Sequence, residues 1–472
     1  MTLRLYSTLS KDLEEFSPLE PGHVRMYNCG PTVYNYQHIG NYRTYMFADV
    51  LRRTLEYKGF RVTQIINITD VGHLTQDDVD AGDDKIQVMA KQLGWDPYKV
   101  ARHFEEAYVA DRRLLGFLEP ASFPRATEHV GEMVEWIAKL FEKGYAYQSG
   151  PNVYFDVQKF ASYGRLSGNT LEELIAGKRV EINPEKRHPA DFALWKHDPK
   201  HLMQWDSPWG RGFPGWHIEC TAMSKKYLGE QFDIHTGGED NIFPHHECEI
   251  AQTEAVTGKP WVKYWIHARH LLWEGRKMAK RDGTFYTPKD LLEKGFTPMG
   301  IRLALGSTRY REPVSFSLKL FEDAERQVAR LVEFKRRLEE TPRGGGADIR
   351  SIATRSESAF DSALDDDLNV SGALGAVHDF VRDVNRAIDQ GGVGAAEAPV
   401  ARRTLARFDS VFGVLRDAAE EPPPEEVVRL ADERQQARKR KDFAAADAIR
   451  ERLRALGWSI EDTKDGAKFR RL

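Results

Sequence analysis

Cysteine is scarce in this chain. Its 472 residues include three, Cys29, Cys220 and Cys248, an odd number set far apart. That excludes a disulfide framework and leaves the thiols for a metal or for chemistry in a reducing compartment. No run of about 18 apolar residues occurs, so no membrane-spanning helix is expected. The opening MTLRLYSTLSKDLEEF lacks the apolar segment of a secretory signal, and a cytoplasmic protein is expected. Net charge is only −4, so a nucleic-acid partner would need a local basic surface. The acidic group Asp77, Asp78, Asp80, Asp83 and Asp84 lacks the spacing of an EF-hand loop and reads as a solvated loop. What remains, 41% hydrophobic and 30% charged, is the composition of a soluble globular protein, long enough for about two to four domains.

The first 70 residues read as α/β. Residues 24–29 form a strand, residues 39–58 a helix ending at Gly59, and residues 60–67 a second strand. A crossover of this length predicts a parallel, doubly wound sheet with ligands at the carboxyl ends of its strands. Cys29 closes the first strand. His38 and Asn41 share one face at the helix start, where free N–H groups favour phosphate; taken alone, H-x-x-N reads more readily as a structural pair. An amphipathic helix follows to about Leu115, then a helix over 126–144 and a hairpin over 145–159 turning at Gly150-Pro151. The stretch to about Gln204 is mixed and proline-punctuated, as in an insertion within a split sheet domain.

The densest chemistry is FDIHTGGEDNIFPHHECEI, residues 232–250. Residues 232–235 read as a short buried strand, Gly237-Gly238 as a turn that lets backbone approach a ligand, and Asp240 as a carboxylate just beyond it. His245 opens a helix on which it faces Cys248 at i+3 and Glu249 at i+4. Upstream, WGRGFPGWHIECTAM gives a loop and a helix start carrying Cys220. If the sheet gathers these ends on one edge, Cys29, Cys220, His245 and either Cys248 or Glu249 make a tetrahedral set suited to zinc. Further on, WEGRKMAKRDGTF sets Lys277 and Lys280 three apart in a loop that could neutralise charge on a transferred phosphoryl group.

Beyond Thr297 the chain becomes helical. TPRGGG and EEPPP mark linkers on either side of a helical stretch over 349–419. Residues 425–472 read as two helices and a short hairpin. Between Arg429 and Arg454 nine Lys/Arg stand against five Asp/Glu, a local excess suited to an RNA backbone and equally to a solvated helical hairpin.

Together, CGPTVY from Cys29, HIGN from His38, NITD from Asn67, GWHIEC ending at Cys220 and KMAKR from Lys277 resemble the cysteinyl-tRNA synthetases, class I aminoacyl-tRNA synthetases, in order through nearly the whole chain. The resemblance implies an α/β fold with a Rossmann-like parallel sheet, an insertion, a C-terminal helical bundle and a small α+β anticodon-binding domain. It divides the chain into catalytic halves at 1–125 and 213–275 around an insertion at 126–212, a signature-loop and stem-contact region at 276–341, a bundle at 347–419 and an anticodon-binding domain at 425–472. It implies catalytic roles for His38, Asn41, Lys277 and Lys280. ATP contacts fall to His38, Asn41, Gly238, Asp240 and Lys280, the cysteine pocket to Thr69, Trp216, His235 and His267, and zinc ligation to Cys29, Cys220, His245 and Glu249. One zinc ion, ATP with Mg2+, L-cysteine and tRNA-Cys follow as cofactor and substrates, and a monomer is expected. KMAKR departs from the family's KMSKS by Ala279 and Arg281 but keeps both lysines. Cys248 stands where the family's HHENE block has asparagine, and the motif match favours Glu249 as the ligand. Phe469 stands where the family often has tryptophan. A ligase joining cysteine to an amino sugar and a non-catalytic tRNA-binding paralogue are the rival readings.

Overall fold

The computed structural model describes all residues except 1, 77–80, 177–182, 274, 275, 278–284, 341–343, 416–424, 441, 457, 464, 465 and 472. The chain divides into two compact units, Met1–Phe412 and Gly413–Leu472.

The first unit is built on four parallel strands in the order Val262–Ala268, Phe232–Gly238, His23–Asn28 and Arg61–Ile66. Met26 sits beside Gln64 on one side and Ile234 on the other. Both faces of the sheet are covered, as a parallel sheet requires, so the polar residues Asn28, Asp233, His235 and Thr236 of the inner strands are themselves buried. Met26, Ile234, Tyr264 and Ile266 join one core with Phe47 and Leu51 of the helix Ile39–Tyr57, whereas Tyr27, Ile65 and Trp265 join a second core with Met223 and Ile250. The helices Trp216–Leu228 and Glu247–Thr257 flank the strand Phe232–Gly238 in sequence. Each crossover therefore returns a helix start or loop to the carboxyl edge of the sheet.

Between the strand Arg61–Ile66 and the helix Trp216–Leu228 lie the helices Pro97–Leu114 and Val130–Glu142. They are followed by an antiparallel sheet of Ala146–Ser149, Asn152–Phe155, Phe192–Lys196 and Phe213–Pro214. One expectation is corrected nearby. The acidic segment is not a wholly solvated loop: Leu74–Gln76 and Ala81–Asp84 form a hairpin, and Asp84 is buried. Its carboxylate caps the helix Lys85–Leu93 by accepting from the amides of Ile86 and Gln87, and also accepts from that of Gly72 at 2.7 Å. A buried cap is satisfied by backbone donors and needs no solvent. Asp77, Asp78 and Asp80 lie outside the described residues.

A buried ion cluster braces the helix Ile39–Tyr57. Asp49 accepts from Arg53 Nε at 2.7 Å, Arg302 Nη2 at 2.6 Å and the Leu118 amide at 2.8 Å. Arg302, on the helix Pro298–Gly306, also donates to the carbonyls of Leu115, Gly116 and Phe412. Helices Leu318–Glu339, Ile349–Asp365, Val370–Asp389 and Ala398–Phe412 complete this unit. Among the described residues, no helix is long and apolar enough to cross a membrane. The second unit holds the helices Glu425–Lys439 and Phe443–Ala455 and the hairpin of Trp458–Thr463 with Gly466–Arg471, around Val427, Leu430, Leu453 and Trp458.

Candidate active site

At the carboxyl edge of the sheet a cavity of about 440 Å³ opens against the start of the helix Ile39–Tyr57. His38 is that helix's cap. Its Nδ1 accepts from the amides of Gly40 at 3.0 Å and Asn41 at 3.3 Å, and Asn41 Oδ1 accepts from the His38 amide at 3.2 Å. This reciprocal cap occupies Nδ1 as an acceptor, so a neutral His38 carries its proton on Nε2 and offers an N–H donor. His38 and Asn41 both line the cavity, at the positive end of the helix, where an anionic group is favoured.

Gly238 and Asp240 line the same cavity. Asp240 Oδ1 lies 2.9 Å from His270 Nε2, and Asn241, which also lines the cavity, accepts from the Gly238 amide at 3.0 Å. At Gly237 a side chain is excluded: a Cβ there would stand 2.8 Å from His246 Cε1. Of the signature lysines, Lys277 ends the short strand Arg276–Lys277, and Lys280 lies outside the described residues. The segment just after them closes on the first signature. Phe285 meets the His38 ring edge-on at 4.8 Å, and the Tyr286 carbonyl accepts from the Ile39 amide at 2.8 Å.

Beside the cavity lies a buried group of thiols, imidazoles and carboxylates. Ligand atoms of Cys29, Cys220, His245 and Glu249 all fall within 4.8 Å of one another and could hold one metal ion; Cys29, His235, His246 and Glu249 form a second, overlapping set. His245 Nε2 stands 3.5 Å from Cys220 Sγ and 2.9 Å from Glu249 Oε1, and Cys29 Sγ stands 3.1 Å from His246 Nε2. Glu249 Oε1 is buried and pairs with the His245 imidazole alone, at 2.9 Å, among the nitrogen and oxygen groups of the described residues. A buried carboxylate oxygen left this way, among two thiols and an imidazole, is the environment a soft-to-borderline cation satisfies.

The electrostatics point the same way. Burial pushes up the thiols of Cys29 and Cys220. Burial alone would depress His245, but Glu249 and Cys220 outweigh it and hold the imidazole at about 10. Burial alone would raise Glu249, but His245 and His235 hold its carboxyl at about 2. A divalent cation among these groups would reverse the penalty on the thiolates.

The remaining expected pocket residues are placed differently from one another. Trp216 lines the cavity and stacks on His245 at 4.1 Å between ring centroids. Thr69 lies deeper, its hydroxyl donating to Glu219 at 2.9 Å. His235 is fully buried, bonded to Glu249 at 2.9 Å and stacked on Trp265. His267 reaches His246 at 2.8 Å and the Thr8 hydroxyl at 2.7 Å, and burial with the nearby His235 pushes it down to about 3. Cys248 is not in either ligand set; its Sγ stands 3.4 Å from the Tyr163 hydroxyl in the apolar core.

Sequence reasoning passed over three residues that touch this group. His246 bridges Cys29 and His267; its place in the double histidine was the one available signal. His217 Nδ1 lies 2.9 Å from His245 Nδ1, the atom that fixes which His245 nitrogen is left for a ligand. His73 stacks on Trp216 at 4.0 Å with the rings 9° apart, and nothing in its sequence neighbourhood announces that.

The chain resembles known proteins over its whole length. The family described as "tRNA synthetases class I (C) catalytic domain" matches residues 15–326, "DALR domain" residues 359–416 and "Cysteinyl-tRNA ligase anticodon binding domain" residues 423–470. Over its full length the chain is 42% identical to the Cysteine--tRNA ligase of Salinibacter ruber, across 98% of that protein. It is 44% identical to that of Thermus thermophilus, also over its full length and across 99% of the relative. In fold it is similar to Mycobacterium tuberculosis methionyl-tRNA synthetase in complex with methionyl-adenylate (TM-score 0.60, 14% identity, 83% of this chain and 90% of that one). It is likewise similar to the LeuRS–tRNA–LeuAMS complex of Agrobacterium radiobacter K84 (TM-score 0.61, 10% identity, 85% of each chain). By its family matches and its full-length relatives, the chain belongs to the cysteine–tRNA ligase family of class I aminoacyl-tRNA synthetases.

Proposed function

We propose that the chain activates L-cysteine with Mg-ATP to cysteinyl-adenylate and transfers cysteine to the 3′ end of tRNA-Cys, with zinc selecting the substrate thiol. One observation carries the reading: the Cys29, Cys220, His245 and Glu249 ligand atoms converge beside a cavity that Cys29 and Trp216 also line. These four residues would hold the metal. When bound, zinc stabilises a coordinated thiolate over a hydroxyl, which lets a binding step reject serine without an editing domain. The choice of this set over the one containing His235 and His246 rests on the family resemblance and on the bonds that His246 makes to His267.

The chain's own groups supply the rest. His38, through its Nε2 N–H, and Asn41 bind the phosphates at the helix start, and Gly238 and Asp240 hold the nucleoside. Lys277 and Lys280 neutralise the charge that builds on the α-phosphoryl group as the cysteine carboxylate attacks and pyrophosphate leaves. Trp216 and Thr69 shape the amino-acid pocket, with His235 and His267 beneath the ligand group. The helices over 347–419 and the basic unit over 425–472 dock the tRNA, in a monomer working in the cytoplasm.

Cysteine-dependent ATP–pyrophosphate exchange followed by tRNA charging tests the reading. Both are expected, and chelation is expected to raise the cysteine KM while sparing that for ATP. Exchange without charging would favour the amino-sugar ligase, no exchange the binding paralogue, and unchanged cysteine use by metal-free enzyme would remove zinc as the selector.

A further inference from the structure

We propose that His73, tethered by Lys85 and Thr32, is a positioning residue that sets the Trp216 indole, and through it the cysteine pocket. The proposal rests on the reading above that Trp216 borders the bound amino acid.

Trp216 is the first residue of the helix Trp216–Leu228, and that helix start has no side-chain cap: Gly215 makes none. A side chain in the first turn has no preceding turn to lie on, so its rotamer is set by what stands against it. Two rings do. His73 stacks on the indole at 4.0 Å with the planes 9° apart, and His245 stacks on it at 4.1 Å with the planes 19° apart. His73 is therefore joined through one indole to a residue of the metal-ligand group.

His73 is itself held at both ring nitrogens. Lys85 Nζ stands 2.6 Å from Nε2, and Nδ1 meets the Thr32 hydroxyl. An ammonium can only donate, so Nε2 accepts and Nδ1 carries the proton, which it gives to Thr32 Oγ1. The tether thus fixes one tautomer and one ring plane. The backbone is fixed too. The Lys85 amide donates to the His73 carbonyl at 2.9 Å, and Gly72, at φ +80°, brings the loop against Pro214, whose carbonyl would stand 2.7 Å from a Cβ. Only glycine tolerates both that φ and that approach. His73, Lys85, Thr32 and Trp216 all border the nucleotide cavity, so the assembly stands at the boundary between the ATP and cysteine sites.

The test uses full-length His73→Ala, His73→Phe, His73→Gln and Trp216→Ala enzymes. The measurements are cysteine-dependent ATP–pyrophosphate exchange, bound zinc and thermal midpoint. His73→Ala is expected to raise the cysteine KM roughly ten-fold, as loss of an orienting partner does, with kcat and the ATP KM nearly unchanged. His73→Phe, which keeps the stack, should restore most of the cysteine KM, and His73→Gln, which keeps only hydrogen bonding, should not. A raised cysteine KM in Trp216→Ala with a normal one in His73→Ala overturns the proposal and leaves the Trp216 reading standing. Normal values in both overturn both. Equal loss of cysteine and ATP use together with a lowered midpoint in His73→Ala, or rescue by Gln and not Phe, makes His73 a merely structural residue and also overturns it.

Discussion

Two buried clusters of charge serve the same sheet domain, and they are finished differently. Around Asp49 both carboxylate oxygens are answered: two arginines and one amide donate to them, and the arginines also donate to backbone carbonyls. Around Glu249 the account stays open. Glu249 Oε1 has only the His245 imidazole, at 2.9 Å, His235 Nδ1 is buried without a hydrogen bond, and two thiols are pushed away from the thiolate form by burial. A closed cluster braces structure, because an unmet buried group would cost stability and bring nothing back. An open one of soft and borderline donors is shaped for a ligand that arrives later. Both clusters flank elements that carry the signature motifs, so position alone would not separate them.

The comparison breaks most sharply if the open cluster tolerates loss of a donor. Cys220→Ser replaces a sulfur among the four proposed zinc ligands with an oxygen and should raise the cysteine KM about a thousand-fold. Bound zinc should fall and the thermal midpoint should move little; a variant with full zinc and normal cysteine use would make the cluster structural. For the closed cluster the signs reverse. Asp49→Ala strands Arg53 and Arg302 in the interior and should cost about 3–5 kcal/mol of stability by denaturant unfolding, while the cysteine KM at low temperature stays within about three-fold of wild type. The pH dependence follows from the same contacts. Burial opposes ionisation of Asp49, but Arg302 and Arg53 overcome it and hold the carboxyl well below its ordinary value. Its contribution is therefore complete above the unfolded carboxylate value of about 3.9 and is lost as pH falls through the lower folded one. The wild-type protein should show this acid limb, and Asp49→Ala should show a flatter one.

How much of this was legible in the sequence differs between the clusters too. The crossover of strand, helix and strand was readable from periodicity, because each element must bury a face and announces its period. The His38–Asn41 pair was readable as two residues three apart on one face of a helix start; that they cap each other shows only in the folded backbone. Cys29, Cys220 and His245 could be suspected of meeting only through the rule that parallel strands end on one edge; their spacing along the chain says nothing. The Asp49–Arg302 cluster was not legible at all, since it joins residues 253 apart through side chains that read as an ordinary polar helix face. Asp84 misled for a related reason. A run of acids looks solvated, yet one of them turns inward as a helix cap, and only the backbone decides which. The His73–Trp216 stack was invisible because ring contacts leave no period.

Cys248 sharpens the comparison at its smallest scale, one residue from Glu249 on the same helix. If softness of the ligand alone decided, the thiol would be preferred over the carboxylate. Geometry decides against it. One residue of advance turns a helix by about 100°, so Glu249 stacks one turn beyond His245 while Cys248 turns into the core beside Tyr163. Its burial is that of a small apolar residue in a filled interior. Cys248→Ala should therefore keep its bound zinc and its cysteine KM, and should lower stability by about 1 kcal/mol through lost contacts with the surrounding core. Zinc analysis and a urea melt of the purified variant check both halves. A protein that kept its stability but lost its metal would move the fourth ligand from Glu249 to Cys248, and would mean that the helix turns by one residue when the metal is bound.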